Sequence, residues 1–83
     1  MSQITIDVPD VSLAGLHLSP EATAKEVRVA AAIGLYAAER LTHFQACQLA
    51  GISRIEFSER LRVAHIPEHY RTADDLAMEF AGV

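Results

Sequence analysis

The chain has 83 residues, 51% of them hydrophobic, a single cysteine and a formal net charge of −4. A chain this short makes one domain, residues 1–83, which buries only about 60 to 65% of its unfolded surface, so an association partner is expected on size alone. One cysteine excludes an internal disulfide, no apolar run reaches the ~18 residues of a membrane span, and no basic and apolar leader pattern stands at the N-terminus, which makes the cytoplasm the expected location.

The expected fold is mainly α, with a short N-terminal β-strand, a long helix, a helix-turn-helix and a short C-terminal helix. In the arm of residues 1–9, Gln3, Ile4, Thr5, Ile6, Asp7 and Val8 alternate polar and apolar, and Pro9 ends the run. No second segment has this pattern. The strand is therefore expected to pair outside its own chain, with Ile4 and Ile6 at an interface between two copies. Residues 10–18 read as an irregular connection anchored by Leu13, Leu16 and Leu18.

Ser19 and Pro20 announce the long helix, 19–40, as its cap and first helical residue. Val29 to Ala38 carries no charge. At about 100° per residue, Val29, Ile33 and Tyr36 form a bulky stripe, with Val27, Ala30, Ala31, Gly34, Ala37 and Ala38 as a small-residue stripe on the other side. One side can cover the rest of the domain. Ala30, Gly34 and Ala38, at four-residue steps, would admit a second backbone, so a homodimer is expected; the alternative is a helix buried wholly within its own chain.

Two capping boxes follow, eleven residues apart: Thr42 with Gln45, and Ser53 with Glu56. Gly51 between them can take the left-handed conformation that stops a helix. Short helix, glycine turn and longer helix over 42–65 are what a helix-turn-helix needs. Ala46, Cys47 and Ala50 supply small contacts on the first helix, and Ile52, Phe57, Leu61 and Ala64 supply anchors on the second. Arg54, Ser58, Glu59 and Arg62 fall on the opposite stripe, which makes Ser53, Arg54, Ser58 and Arg62 the candidate contacts to double-stranded DNA. Cys47 is expected to be a buried structural thiol, and an antiparallel helix pair with a solvated charged face is the plainer alternative.

In the tail, 66–83, Ile66 and Pro67 stop helicity, and Thr72 with Asp75 caps a short last helix bearing Leu76, Met78 and Phe80. With Asp74, Asp75 and Glu79 it is acidic and amphipathic, suited either to its own domain or to a groove on a partner protein.

The net acidity divides unevenly. Residues 1–39 carry Asp7, Asp10, Glu21, Glu26 and Glu39 against Lys25 and Arg28, net −3, and residues 66–83 carry Glu68, Asp74, Asp75 and Glu79 against Arg71, also net −3. Residues 40–65 hold Arg40, Arg54, Arg60 and Arg62 against Glu56 and Glu59, net +2. The helix-turn-helix is thus the positive block, though a surplus of two binds DNA feebly unless duplicated in a dimer.

No catalytic role, metal or cofactor is expected. Pro67 breaks the helical face that would align His65 with His69, His17 and His43 have no partners at ligand spacing, and no phosphate loop or nucleophile elbow exists.

The succession of ITIDVP, a long helix ending in IGLYAAERLT, and QACQLAGISRIEFSERLRVAHIPEHY resembles, over residues 3–75, a small bacterial and archaeal family of uncharacterised helix-turn-helix proteins regarded as antitoxins. Its more telling elements are Leu49 to Arg54, Glu56 with Phe57, Ile66 with Pro67, and His69 with Tyr70. The resemblance implies a DNA-binding antitoxin encoded beside a PIN-domain ribonuclease toxin. The chain departs from the pattern at Gln45, where a basic residue is frequent, and at Cys47, where alanine is usual. The expected function is therefore an antitoxin that represses its own promoter and neutralises the toxin. Asp74, Asp75, Leu76, Met78, Glu79 and Phe80 are the candidate toxin contacts. A stand-alone transcriptional regulator and a protein-interaction module without DNA affinity remain the alternatives.

Overall fold

The computed structural model describes residues 2–69. The expected C-terminal helix and its six candidate partner contacts, Asp74 to Phe80, lie outside the described residues. Four α-helices make up the described chain: α1 (Asp10–Leu13), α2 (Pro20–Ala37), α3 (His43–Ala50) and α4 (Arg54–Val63), with a single 3-10 turn, Ala14–Leu16, after α1.

The expected N-terminal strand is not formed, and no β-strand occurs among the described residues. The alternation from Gln3 to Val8 is a local property, whereas a strand exists only when its backbone edges meet another strand. Ile4 and Ile6 are instead 81% and 71% exposed. An open apolar groove of about 710 Å³ separates this arm from the first half of α2, lined by Ile4, Ile6, Val8, Leu13, Leu18 and Val27 among others. The expected irregular connection is also more regular than its sequence suggested. Pro9 precedes a helical turn with Asp10 in its first turn, the Ser12 N–H donates to the Pro9 carbonyl at 3.0 Å, and His17 ends the 3-10 turn in a left-handed conformation (φ 53°).

The three longer helices start as their caps dictate. Ser19 Oγ accepts the Ala22 N–H, Ser53 Oγ accepts the Glu56 N–H, and Thr42 with Gln45 forms a complete reciprocal box, with distances of 3.1 Å for Gln45 N–H to Thr42 Oγ1 and 3.0 Å for the return bond from Thr42 N–H. At Ser53 the Glu56 carboxylate turns to Arg60, 3.8 Å away.

All three also stop in one way. Glu39, Gly51 and His65 each take a left-handed conformation, with φ of 61°, 71° and 60°. The following amide reaches back in each case to a carbonyl in the last turn: Arg40 to Leu35, Ile52 to Cys47 and Ile66 to Leu61, at 2.8, 3.3 and 2.9 Å. These are Schellman-type ends, which satisfy carbonyls the helix itself leaves open. The long helix accordingly ends at Ala37, short of the expected end at residue 40.

The core sits where α2, α3 and α4 meet. Val29, Ala32 and Tyr36 enter from α2, Ala46, Cys47 and Ala50 from α3, and Phe57 and Leu61 from α4, with Ile33, Leu41, Leu49, Ile52 and Ile66 packed around them. Small residues on α3 let it lie close to α2, which leaves room for Phe57 and Tyr36 to meet edge to face at 5.6 Å. Ala64, expected to continue the stripe of Phe57 and Leu61, is the exposed C-cap of α4. Ala30, Gly34 and Ala38 are exposed on the far side of α2, and a Cβ built at Gly34 meets nothing within 4 Å.

Candidate nucleic-acid interface

Three residues, Gly51, Ile52 and Ser53, join α3 to α4, and Gly51 makes the turn in a conformation that a side chain would strain. The turn is also held from α2. The Arg28 Nε–H donates to the Leu49 carbonyl at 2.9 Å, and the guanidinium lies beside Gly51, within 3.7 to 3.9 Å of where a Cβ would stand. A cation at the C-terminus of α3 complements its dipole as well as its open carbonyl.

A helix presents one stripe outward, and the buried pair Phe57 and Leu61 sets which stripe that is on α4. Ile55 and Val63 stand 74% and 63% exposed on it, together with Glu59 and Arg62. The Arg62 guanidinium donates from both Nε and an Nη to the Glu59 carboxylate, and this hydrogen bond, followed by the charge itself, holds the Glu59 carboxyl below its ordinary value and raises that of Arg62. The sign follows: this pairing favours the folded state above the usual glutamate range and is lost as pH falls through the lowered value. Both groups are fully exposed, so the pair orients side chains more than it stabilises the fold.

The other candidate DNA contacts lie elsewhere around the helix. Ser53 is exposed at the N-cap. Arg54 is half-buried, and its Nε is a buried donor with no partner. Ser58 is half-buried and turned inward, its hydroxyl 3.3 Å from His43 Nε2 and donating to Glu68 Oε2 at 3.0 Å. Arg60, outside the predicted set, bridges to Glu26 on α2 at 3.4 Å through two nitrogens. Of the four arginines that made this block positive, Arg60 and Arg62 are thus committed to carboxylates of the same chain.

The contacts that sequence spacing missed converge on His43, which is 1% exposed. Its ring meets Tyr36 and Phe57 edge-on at 5.6 and 5.2 Å, its Nδ1 lies 3.7 Å from Cys47 Sγ, and its Nε2 lies 3.2 Å from Glu68 Oε2. Beside it His69 stacks on the Tyr36 ring, centroids 4.4 Å apart, and both backbone groups of His69 bond the Tyr36 hydroxyl: the N–H donates to it at 2.6 Å and the carbonyl accepts from it at 2.9 Å. The signal available was polar: His43 stands on the same face of α3 as Ala46, Cys47 and Ala50, and buried polar groups find partners. Ser58 Oγ and Glu68 share one ring nitrogen of His43 while the Cys47 thiol lies against the other, and with His43 1% and Cys47 6% exposed the group is a buried polar clasp. No cluster of three or more metal-ligating side chains occurs among the described residues, and no described helix is long and apolar enough to cross a membrane.

These features define a small helical protein with two capped helices joined by a left-handed glycine turn. It belongs to the uncharacterised protein family UPF0175, whose family model matches residues 1–83. No curated protein and no solved structure matches it.

Proposed function

We propose that this chain is a DNA-binding antitoxin, a cytoplasmic homodimer that represses its own promoter and neutralises a PIN-type ribonuclease toxin by direct binding. The observation that carries the DNA-binding half is the α3–Gly51–α4 unit, with caps at both starts, a three-residue turn and two arginines on α4, the half-buried Arg54 in its first turn and the exposed Arg62 in its last. Such a unit offers its second helix to a major groove. The toxin half rests on the family resemblance and on the acidic, amphipathic sequence of residues 72–83. Mobility shift of a duplex from directly upstream of the reading frame, at several salt concentrations, tests the first; co-purification with the adjacent gene product tests the second.

Arg54→Ala is expected to cost about 1 to 3 kcal/mol of operator affinity and to relax sequence preference, since the start of such a helix reaches base edges. Arg62→Ala, two turns on, is expected to weaken all sequences alike and flatten the salt slope by about one, as losing a phosphate contact and exposing Glu59 would. Arg40→Ala should have a smaller effect than either. Equal losses on operator and random duplex for Arg54→Ala would show that it reads no bases.

The homodimer is proposed through the exposed small-residue face of α2. Open space around Gly34 makes the test clean. Gly34→Ala should raise monomer stability by up to about 1 kcal/mol through helix propensity, whereas Gly34→Leu should leave the helical content intact and shift light-scattering mass from dimer to monomer at tens of micromolar protein. A wild-type monomer under the same conditions removes the claim.

A second reading is favoured by one observation: Ile55 and Val63 are exposed on the outward face of α4, and the Glu59–Arg62 pair between them carries no net charge. That face suits a protein partner as well as DNA. Shifts that vanish at every salt concentration would select it.

A further inference from the structure

The residues immediately after α4 fold back across all three core helices. Ile66 packs on the core and Pro67 redirects the chain, bringing Glu68 to His43 on α3 and Ser58 on α4, and His69 to Tyr36 on α2. Two consequences fall on α4. The Ser58 hydroxyl, a candidate DNA contact, is occupied, and a carboxylate that is itself 39% exposed is fixed 3.0 Å from it at the edge of the helix's accessible surface. A fixed negative charge there repels any phosphate that comes within about one Debye length of it, roughly 8 to 10 Å.

We propose that Ile66–His69 is an autoinhibitory clasp, which lowers DNA affinity by holding the Glu68 carboxylate against Ser58 and which is relieved when the segment is displaced from Tyr36 and His43. The proposal rests on the DNA-binding reading above and adds a control to it. Its physical content is an equilibrium between two placements of four residues. The closed placement is favoured by the Tyr36 hydroxyl, which bonds both backbone groups of His69, by the ring stack, and by the hydrogen bond that Glu68 accepts from Ser58, with His43 Nε2 3.2 Å from the same oxygen. The open placement carries the charge away and leaves Ser58 able to donate elsewhere. Anything that binds residues 66–69 in the open placement then favours DNA binding by the same factor as DNA favours it.

Two full-length variants test the charge and the latch separately. Glu68→Gln removes the charge while keeping the size of the side chain and its ability to accept from Ser58; Tyr36→Phe keeps the ring and its stack but deletes the hydroxyl that holds His69. Affinity is measured by fluorescence anisotropy on a duplex from directly upstream of the reading frame and on a scrambled duplex, and amide exchange at His69 is followed by NMR. Glu68→Gln is expected to bind both duplexes about three- to tenfold more tightly at about 0.1 M salt, with a salt slope steeper by up to about one. Tyr36→Phe is expected to speed His69 exchange at least about tenfold, since its acceptor is gone, and to raise DNA affinity in the same direction. Unchanged or weaker binding by Glu68→Gln, with wild-type DNA binding intact, overturns the clasp and leaves the DNA-binding reading standing. Tighter binding by Glu68→Gln without any gain in Tyr36→Phe, or unchanged His69 exchange there, overturns the latch. No binding by wild type or either variant overturns both the clasp and the DNA-binding reading.

Discussion

Tyr36→Ala is expected to cost about 3 to 5 kcal/mol and so to leave the domain largely unfolded at ordinary temperature. The side chain is fully buried, and three rings close around it: His43 and Phe57 edge-on, His69 stacked. Its hydroxyl also fixes the backbone at His69 through two hydrogen bonds. Alanine loses the transfer energy of a large aromatic, leaves a cavity among rigid neighbours, and releases the segment that follows α4. A domain of this size has only about 4 to 12 kcal/mol of total stability at typical per-residue values, so little remains. Tyr36→Phe should cost far less, about 1 to 3 kcal/mol, because only the hydroxyl's bonds are lost. Urea unfolding followed by far-ultraviolet circular dichroism measures both. A loss under about 1 kcal/mol for Tyr36→Ala would mean that the three helices do not pack around this ring.

The start of each long helix was legible because the information is local. Ser19, Thr42 and Ser53 each need only the amide three residues on, and all three bonds are formed. Of the three left-handed stops, only Gly51 announced its conformation. Glu39 and His65 take the same left-handed conformation, but neither residue type advertises it, and the favourable return bonds of Arg40 and Ile66 become evident only with the helix built. Periodicity found the buried side of α2 at Val29 and Tyr36 and the anchors Phe57 and Leu61 on α4. It failed for Ser58, which looked like part of a polar stripe opposite the core; the helix instead turns it to His43, across 15 residues of sequence. The arm shows the reverse error, a strand pattern read as a strand when the pairing that would make it one is absent among the described residues. Glu68 carried no signal at all, since a single carboxylate after a proline gives no hint of a buried histidine 25 residues earlier.

Deleting residues 72–83 is expected to abolish neutralisation of the toxin, measured as growth of cells expressing it, while leaving a folded protein that still shifts its upstream DNA. The removed segment carries Asp74, Asp75 and Glu79 beside Leu76, Met78 and Phe80. A ribonuclease needs a basic rim to hold RNA, and an acidic amphipathic segment is the chemistry that competes for it, with apolar side chains giving the buried contact and the carboxylates the complementarity. Where the chain is cut decides what is tested. Residues 66–69 belong to the core, through Ile66 against its edge, Glu68 on His43 and Ser58, and His69 on Tyr36. Deleting 66–83 should therefore cost about 1 to 3 kcal/mol for the buried hydroxyl's lost partners alone, with the burial of Ile66 in addition, and lower the urea midpoint visibly. If the 72–83 deletion destabilises the protein as much as the longer one, the last twelve residues are structural and their loss says nothing of a toxin. If it leaves the fold intact and growth is still rescued, the toxin contact lies on the arm or on the exposed face of α2.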